Sequence, residues 1–145
     1  MKLLLALTAL FVTVFLLIAA EWTRSVTYVG HDKVAAAISK GGPLVTAPDL
    51  TVTGSHRDKA GQVEIHDKET DVIYVIEGEA TFVTGGTVAG QKVTRPGQSI
   101  GTDIKDGETH HLTKGDLIVV PAGIPHWFKE VPSSVSYYVV KVLKP

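Results

Sequence analysis

Four residues, Glu64, His66, Asp71 and His126, have the types and spacing of a metal site. Glu64 and His66 are two residues apart, and alternate side chains of a β-strand lie on the same face. Asp71 begins the next predicted strand, and antiparallel pairing of the two strands would bring it close to His66. His126 follows much later, after a rigid turn at residues 121–123. Together they would offer two imidazoles and two carboxylates.

Such a set of nitrogen and oxygen ligands suits Fe(II), Mn(II), Ni(II), Zn(II) or Cu(II), with one or two positions left for water or a ligand. Metal binds neutral imidazole and ionised carboxylate, so its affinity should fall below a pH of about 6.5. The chain has no cysteine, which excludes disulfides, thiolate zinc sites and thiol nucleophiles. From the residues alone, the alternative stays open that each histidine is an ordinary core or surface residue.

Other polar residues are weaker candidates for the same pocket. His110 and His111 are adjacent, so in a strand one of them faces inward, and His110 is a candidate acid or base. His56 and Arg57 also lie on a predicted strand, and one of them is expected to line the interior. Serine-hydrolase, P-loop and dinucleotide-binding motifs are absent from the sequence, which removes the commonest alternatives.

The elements that must position these side chains are short β-strands separated by Gly, Pro or Asp clusters. Their number and regular spacing predict an all-β sandwich or barrel. Residues 87–107 are less patterned, and we expect a long loop or an extra hairpin there, which could cover a binding site as a lid. The predicted strands are residues 44–46, 50–57, 62–66, 72–77, 80–84, 98–104, 110–112, 116–120, 126–129 and 135–143.

A short helix is predicted before the strands, at residues 28–40. Asp32 is the expected N-cap, and Val34, Ala37 and Ile38 form one apolar face. The Gly-Gly-Pro sequence at residues 41–43 ends the helix. We expect this helix to pack on the outside of the domain.

The N-terminal segment differs in kind from the rest of the chain. Met1 and Lys2 precede an uncharged, leucine-rich run at residues 3–20, which is typical of a secretory signal peptide. The run also has the minimum length of a membrane-spanning helix, about 18 residues, so an uncleaved membrane anchor is the alternative. Both interpretations place the rest of the protein outside the cytoplasm, periplasmic or secreted, with membrane contact only through this segment.

Length and charge narrow the function further. A chain of 145 residues favours one domain. The net charge of −1 gives no electrostatic footprint for nucleic acid. A small-molecule ligand is the expected partner.

The region around His126 resembles the second signature motif of the cupin superfamily, G-x5-P-x-G-x2-H. Gly115, Pro121, Gly123 and His126 match it in full. The closing Asn that many cupins carry a few residues later has no counterpart here, and Glu130 stands nearby. This resemblance implies a small cupin-type barrel, a double-stranded β-helix or jelly roll, with a short N-terminal helix.

The region around His66 resembles the first cupin motif, G-x5-H-x-H-x3-4-E-x6-G, only in part. His66 stands at the second His and Gly78 at the final Gly. Glu64 replaces the first His and Asp71 replaces the Glu, while Asp58 occupies the position of the opening Gly. The resemblance therefore implies a ligand set richer in carboxylate than the usual three histidines and one glutamate.

The resemblance covers roughly residues 50–143. With the N-terminal run and the predicted helix, it divides the chain into a signal or anchor at residues 1–20, a lead-in with the helix at 21–48, and the barrel at 49–145. The resemblance also bears on the metal. It implies a divalent metal held by Glu64, His66, Asp71 and His126, with Mn, Fe or Zn favoured by the hard ligands. Alternatively, Glu64 acts as a general base beside a two-His-one-carboxylate triad, or the site has lost its metal.

Two classes of function follow from the resemblance. The first is an exported metal-dependent enzyme, of isomerase or oxygenase type, acting on a small polar molecule, with Glu64 or His110 moving protons. The second is a non-catalytic module that binds a small ligand or a metal. Fold does not choose between them. Small cupin barrels often pair through an exposed sheet edge, so a homodimer is expected.

Overall fold

The computed structural model describes residues 25–143, so the predicted signal or anchor segment lies outside the described residues. These residues form one helix and twelve strands, and all strand pairs are antiparallel. The elements are α1 (His31–Lys40), β1 (Gly42–Thr46), β2 (Leu50–Arg57), β3 (Val63–His66), β4 (Glu69–Thr84), β5 (Thr87–Ala89), β6 (Lys92–Arg95), β7 (Gln98–Gly101), β8 (Asp103–Lys105), β9 (Glu108–Thr113), β10 (Leu117–Val120), β11 (His126–Glu130) and β12 (Val135–Leu143).

Two facing sheets build the barrel. The first sheet has the order β1-β2-β12-β4-β10, and the second has the order β9-β4-β11-β3-β7-β6. The long strand β4 belongs to both sheets, because its residues 69–78 pair with β12 and its residues 79–84 pair with β9. Strands that change sheets are the means by which a jelly roll closes, so the predicted all-β barrel is confirmed.

Strand β4 changes sheet at Gly78. The sequence predicted two strands separated by this glycine, whereas the structure has one continuous strand that bends there. Gly78 has a φ of +80°, a conformation that only glycine adopts without strain. A Cβ atom at this position would also clash with the carbonyl oxygen of Ser134. The bend turns the two halves of β4 into opposite walls of the barrel.

The hydrophobic core lies between the two sheets. Aromatic rings fill much of it: Phe82 and Phe128 meet edge to face with centroids 4.7 Å apart, and Phe128 stacks on Tyr137 at 4.9 Å. Ile73 and Val75 from β4 belong to the same cluster and are almost fully buried. The core therefore supports the end of the barrel next to the four candidate residues.

Residues 87–107 form two antiparallel strand pairs, the hairpin β6–β7 and, on either side of it in the chain, β5 with β8. Strand β7 pairs with β3 and thereby extends the second sheet. Ile104 packs with Val63 and Val83 in a separate apolar cluster. Because this segment covers the outer face of the second sheet and contributes no residue to the cavity described below, it does not have the position of the expected lid.

Helix α1 begins at His31, later than predicted. Gly30 is the N-cap, without a side-chain hydrogen bond, and Asp32 lies in the first turn. The prediction of Asp32 as N-cap was wrong; its carboxylate instead lies where the helix dipole favours negative charge. The helix packs outside the first sheet, where Ala37 approaches Gly54 so closely that a Cβ there would lie 2.7 Å from the Ala37 backbone. Among residues 25–143, α1 is too short to span a membrane, and no other helix is present.

Candidate metal centre

Strands from both sheets bring the four candidate residues together. In the second sheet, His126 at the start of β11 is the cross-strand partner of Glu64 on β3. Asp71 lies on β4 in the first sheet. The expected pairing of β3 with the strand that follows it was wrong, since β3 pairs with β7 and β11. Asp71 reaches His66 across the interior of the barrel rather than along a ladder.

Each histidine approaches both carboxylates. His126 Nε2 lies 3.5 Å from Asp71 Oδ2 and 3.9 Å from Glu64 Oε2. His66 Nε2 lies 3.6 Å from Glu64 Oε2 and 3.7 Å from Asp71 Oδ2. Ligand atoms around a tetrahedral metal with bonds of about 2.1 Å are about 3.4 Å apart. The four distances between imidazole nitrogens and carboxylate oxygens are close to this value, as a bound metal would require.

The hydrogen bonding of the two histidine rings leaves a nitrogen of each ring available to a metal. His126 Nδ1 donates to the backbone carbonyl of Ile124 at 3.1 Å, so in the neutral ring Nε2 keeps its lone pair for the cluster. His66 is buried, yet neither of its ring nitrogens has a hydrogen-bond partner. Buried polar atoms are rarely left unsatisfied. A metal at Nε2 would satisfy one of the two nitrogens, so the residues fit the ion that the resemblance implies.

Glu69 and Lys141 belong to the same cluster, and sequence reasoning missed both. Glu69 Oε2 lies 3.6 Å from His66 Nδ1, which is too far for a hydrogen bond but places a carboxylate beside the ring. Lys141 Nζ contacts both oxygens of Asp71, at 2.9 and 3.0 Å, and lies 3.1 Å from Glu69 Oε2. The lysine thus neutralises part of the charge of the carboxylates. Lys141 is the cross-strand neighbour of Asp71, and this register could have revealed the contact. The register can be used only once the pairing of β12 with β4 is known.

A cavity of about 180 Å³ opens beside the cluster. Glu64, Asp71 and His126 form part of its lining, and Arg57 and Tyr137 are also exposed to it. Its volume is below the roughly 300–1,000 Å³ of pockets that hold drug-sized ligands. The cavity can therefore admit water or a small molecule to the ligand atoms.

Burial and contacts set the protonation of two residues. Burial lowers the pKa of His126 below its ordinary value of 6.5, although the Ile124 carbonyl and the charge of Asp71 oppose the shift. The polar contact with His66 lowers the pKa of Glu64 below 4.5, against the opposing effect of burial. His126 is therefore neutral and Glu64 ionised at neutral pH. Both are in the form that binds a metal, and the lowered pKa of His126 keeps it so at more acidic pH than a free imidazole.

The metal-free protein is expected to lose stability on acidification below a pH of about 6.5. In that range the unfolded chain takes up a proton at His126, whereas the folded chain does not, so the free energy of unfolding falls. Glu64 adds to the loss below about 4.5, where its carboxylate is protonated first in the unfolded chain. Urea unfolding in the presence of a chelator, from about pH 7.5 to about 4.5, measures this dependence.

His126→Asn is the matched variant for this measurement, because its amide can still donate to the Ile124 carbonyl but does not titrate. We expect a shallower decline of stability with falling pH in this variant. An equal decline in both proteins would show that burial of His126 does not produce it.

His110 lies away from the cluster. The side chain is half-buried on β9, and its Nε2 is 3.0 Å from Thr84 Oγ1. It lines a second cavity of about 200 Å³ with Thr84 and Glu108, whereas the cavity beside the cluster contains Glu64 but not His110. The structure thus brings Glu64, His66, Asp71 and His126 together and leaves His110 apart. Of the pair considered on β2, Arg57 lines the cavity and His56 is exposed.

Comparison with known proteins agrees with this architecture. Residues 59–145 match the family model described as cupin, so the chain belongs to the cupin family. Comparison with curated proteins finds no match.

Several solved structures have a similar fold. An RmlC-like cupin family protein with a double-stranded β-helix fold from Methanocaldococcus jannaschii is 17% identical in sequence. The match covers 72% of this chain and 80% of that protein's chain, with a TM-score of 0.51. A cupin superfamily protein from Desulfitobacterium hafniense is 13% identical, with coverages of 72% and 76% and a TM-score of 0.51. The Cnp3 cupin domain of Schizosaccharomyces pombe is 12% identical, with coverages of 72% and 60% and a TM-score of 0.52. At these identities the likeness establishes the fold alone.

The family and the side-chain cluster together support a cupin-type module for binding a metal or a small ligand. Two groupings of metal-competent residues are present in residues 25–143: Glu64 with His66 and His126, and His66 with Glu69 and Asp71. His66 is common to both groupings, which places it at the centre of the cluster.

Proposed function

We propose that this protein is an exported cupin that holds one divalent metal ion with Glu64, His66, Asp71 and His126 and presents it to a small polar molecule in the adjoining cavity. The observation that carries the proposal is the approach of two imidazole nitrogens to two carboxylate oxygens at 3.5–3.9 Å. The two unsatisfied nitrogens of buried His66 support it, because a metal would satisfy one of them.

Glu64 acts in this proposal as a metal ligand rather than a general base. A general base works best with a pKa near the working pH, whereas the contact with His66 lowers the pKa of Glu64 below 4.5. An ionised carboxylate of low basicity is well suited to a metal and poorly suited to proton abstraction at neutral pH.

The identity of the metal separates binding from catalysis. Four protein ligands close a tetrahedral zinc site, which is typical of structural zinc. A six-coordinate Mn or Fe ion would keep two positions for the small molecule or dioxygen. Non-catalytic binding is the function we favour, since His110 lies outside the cavity. A metal-dependent enzyme of isomerase or oxygenase type is the second candidate, which the opening of the cavity beside the ligand atoms favours.

Export is part of the proposal because of the sequence before the described residues. Lys2 followed by the uncharged run at residues 3–20 has the pattern of a signal peptide. A mature chain beginning at Glu21 would be periplasmic or secreted, and an uncleaved chain would be anchored in the membrane. The homodimer stays a prediction.

Elemental analysis of the protein purified from its native host tests the proposal. We expect about one Mn, Fe or Zn ion per chain, recovered from an extracytoplasmic or membrane fraction. N-terminal sequencing of the same preparation distinguishes a cleaved chain from an anchored one. Purified metal-loaded protein, incubated with sugars, keto-acids and phenols, then tests for turnover.

Protein free of metal that also fails to bind added Mn, Fe or Zn would contradict the metal site. An intact N-terminus in a cytoplasmic fraction would contradict export. If the protein contains iron and turns over any compound of the panel, it is a metal-dependent enzyme and not a non-catalytic binding module.

A further inference from the structure

Arg57 is a cation of the cavity that forms no direct ion pair with another described residue. No Asp or Glu oxygen of residues 25–143 lies within 4.0 Å of its guanidinium. Lys141, the other cation of the cavity, is bound to the carboxylates of Asp71 and Glu69. The charge of Arg57 helps to lower the pKa of Glu64 in the same cavity, but no described carboxylate contacts the guanidinium directly, so it can still gain a direct counter-ion.

The guanidinium is held in a defined orientation. Arg57 Nε donates to Tyr137 Oη at 2.9 Å, and its Cζ lies 4.9 Å from the centroid of the Phe128 ring. The Nη atoms lie towards Gly61, where an added Cβ would be 2.8 Å from Nη1. The Gly61 carbonyl already accepts from Trp127 Nε1 at 2.8 Å. The Nε contact and the Phe128 ring therefore orient the guanidinium, and no hydrogen bond from its Nη atoms to another described residue is present.

We propose that Arg57 binds the carboxylate of a small monocarboxylic acid in this cavity. A guanidinium forms two parallel hydrogen bonds with a carboxylate, which gives both strength and direction. Ser55 and Gln62 line the same cavity and offer further polar contacts. The apolar part of the acid would lie against Ile73 and Val139, which are also part of the lining.

Charge and size favour a monocarboxylate over a phosphate or a dicarboxylate. Glu64 and Asp71 line the cavity and, in the metal-free protein, disfavour a second negative charge on the ligand, while Arg57 is the one cation of the lining without a direct ion pair among the described residues. The volume of about 180 Å³ also suits an acid of a few carbon atoms. This inference names the class of the small molecule in the proposed function and rests on that function for the role of the metal.

Binding of acetate, butyrate and benzoate to manganese-loaded protein, measured by calorimetry, tests the inference, with butyramide and benzamide as uncharged counterparts. We expect at least one acid to bind at least about tenfold more tightly than its amide. Arg57→Met should weaken that acid at least about tenfold, and Arg57→Lys should weaken it less, because the charge remains but the paired hydrogen bonds are lost. Arg95→Met, which removes an exposed arginine of β6, should leave binding unchanged.

Thermal unfolding of each variant shows whether it is folded, and Arg57→Lys decides the question if Arg57→Met is not. Equal binding of acid and amide, no binding of any of the three acids, or unchanged binding in Arg57→Lys would overturn the inference.

His126→Ala separates this inference from the proposed function. Acid binding that depends on Arg57 and persists in His126→Ala supports the carboxylate site even if the wild-type protein proves to bind no metal. If acid binding disappears in His126→Ala but is unchanged in Arg57→Met, the carboxylate binds the metal directly. That result would overturn the inference about Arg57 and leave the proposed metal site standing.

Discussion

Replacement of His126 by alanine is expected to reduce the metal content of the purified protein from about one ion per chain to a trace, with at least about a hundredfold loss of affinity. The variant removes one of the two imidazole nitrogens. It leaves the carboxylates of Glu64 and Asp71 in a cavity with one fewer neutral ligand. Elemental analysis and titration with Mn(II) or Zn(II) measure the effect.

His111→Ala is the matched control, because His111 is an exposed histidine whose only ionic contact in residues 25–143 is with Glu79, at 3.3 Å. Its metal content should equal that of the wild-type protein. If the metal content of His126→Ala is also unchanged, the proposed site is wrong, whatever the metal is.

Replacement of Lys141 by methionine is expected to strengthen metal binding by about ten- to a hundredfold. Lys141 Nζ contacts both oxygens of Asp71, so its positive charge repels a divalent ion bound to the same carboxylate. Without metal the same variant should be less stable, by on the order of 2 kcal/mol, because the carboxylates of Asp71 and Glu69 lose their cation. Titration calorimetry and urea unfolding with and without metal measure the two effects.

The stabilisation by added metal should therefore be larger in Lys141→Met than in the wild-type protein. Lys129→Met is the control, since Lys129 is exposed on β11, lies over the ring of Trp127, and forms no ion pair with another described residue. Weaker metal binding in Lys141→Met would show that the lysine assists metal binding instead of opposing it. Lys141 would then hold Asp71 in the position that the metal needs, and the predicted repulsion between Lys141 and the metal would be refuted.

Local patterns were sufficient to predict the strands that carry the site. The alternation of Glu64 and His66 with Val63 and Ile65 follows from the geometry of a strand, and the structure buries both apolar side chains. The glycines and prolines before His126 predicted the start of β11 correctly. Such features depend on residues close together in the sequence, so the sequence alone carries them.

Long-range pairing was beyond such patterns. Asp71 was expected to approach His66 along a ladder between neighbouring strands, but it does so from the opposite sheet, because β4 bends at Gly78 and faces β3 across the barrel. His110 was expected in the pocket on the basis of alternation alone. Alternation correctly indicates that a residue faces inward, but it does not indicate which cavity the residue meets.

The sequence by itself determined the kind of protein: an all-β cupin barrel with two imidazoles and two carboxylates on its strands. Only the tertiary structure decided which charges surround those ligands. Lys141 and Glu69 join the cluster, and Arg57 lines the cavity beside Tyr137, through contacts across strands far apart in the chain. The physical reason is that side-chain direction is a local property of a strand, whereas the electrostatic environment of a site is set by every strand that packs around it.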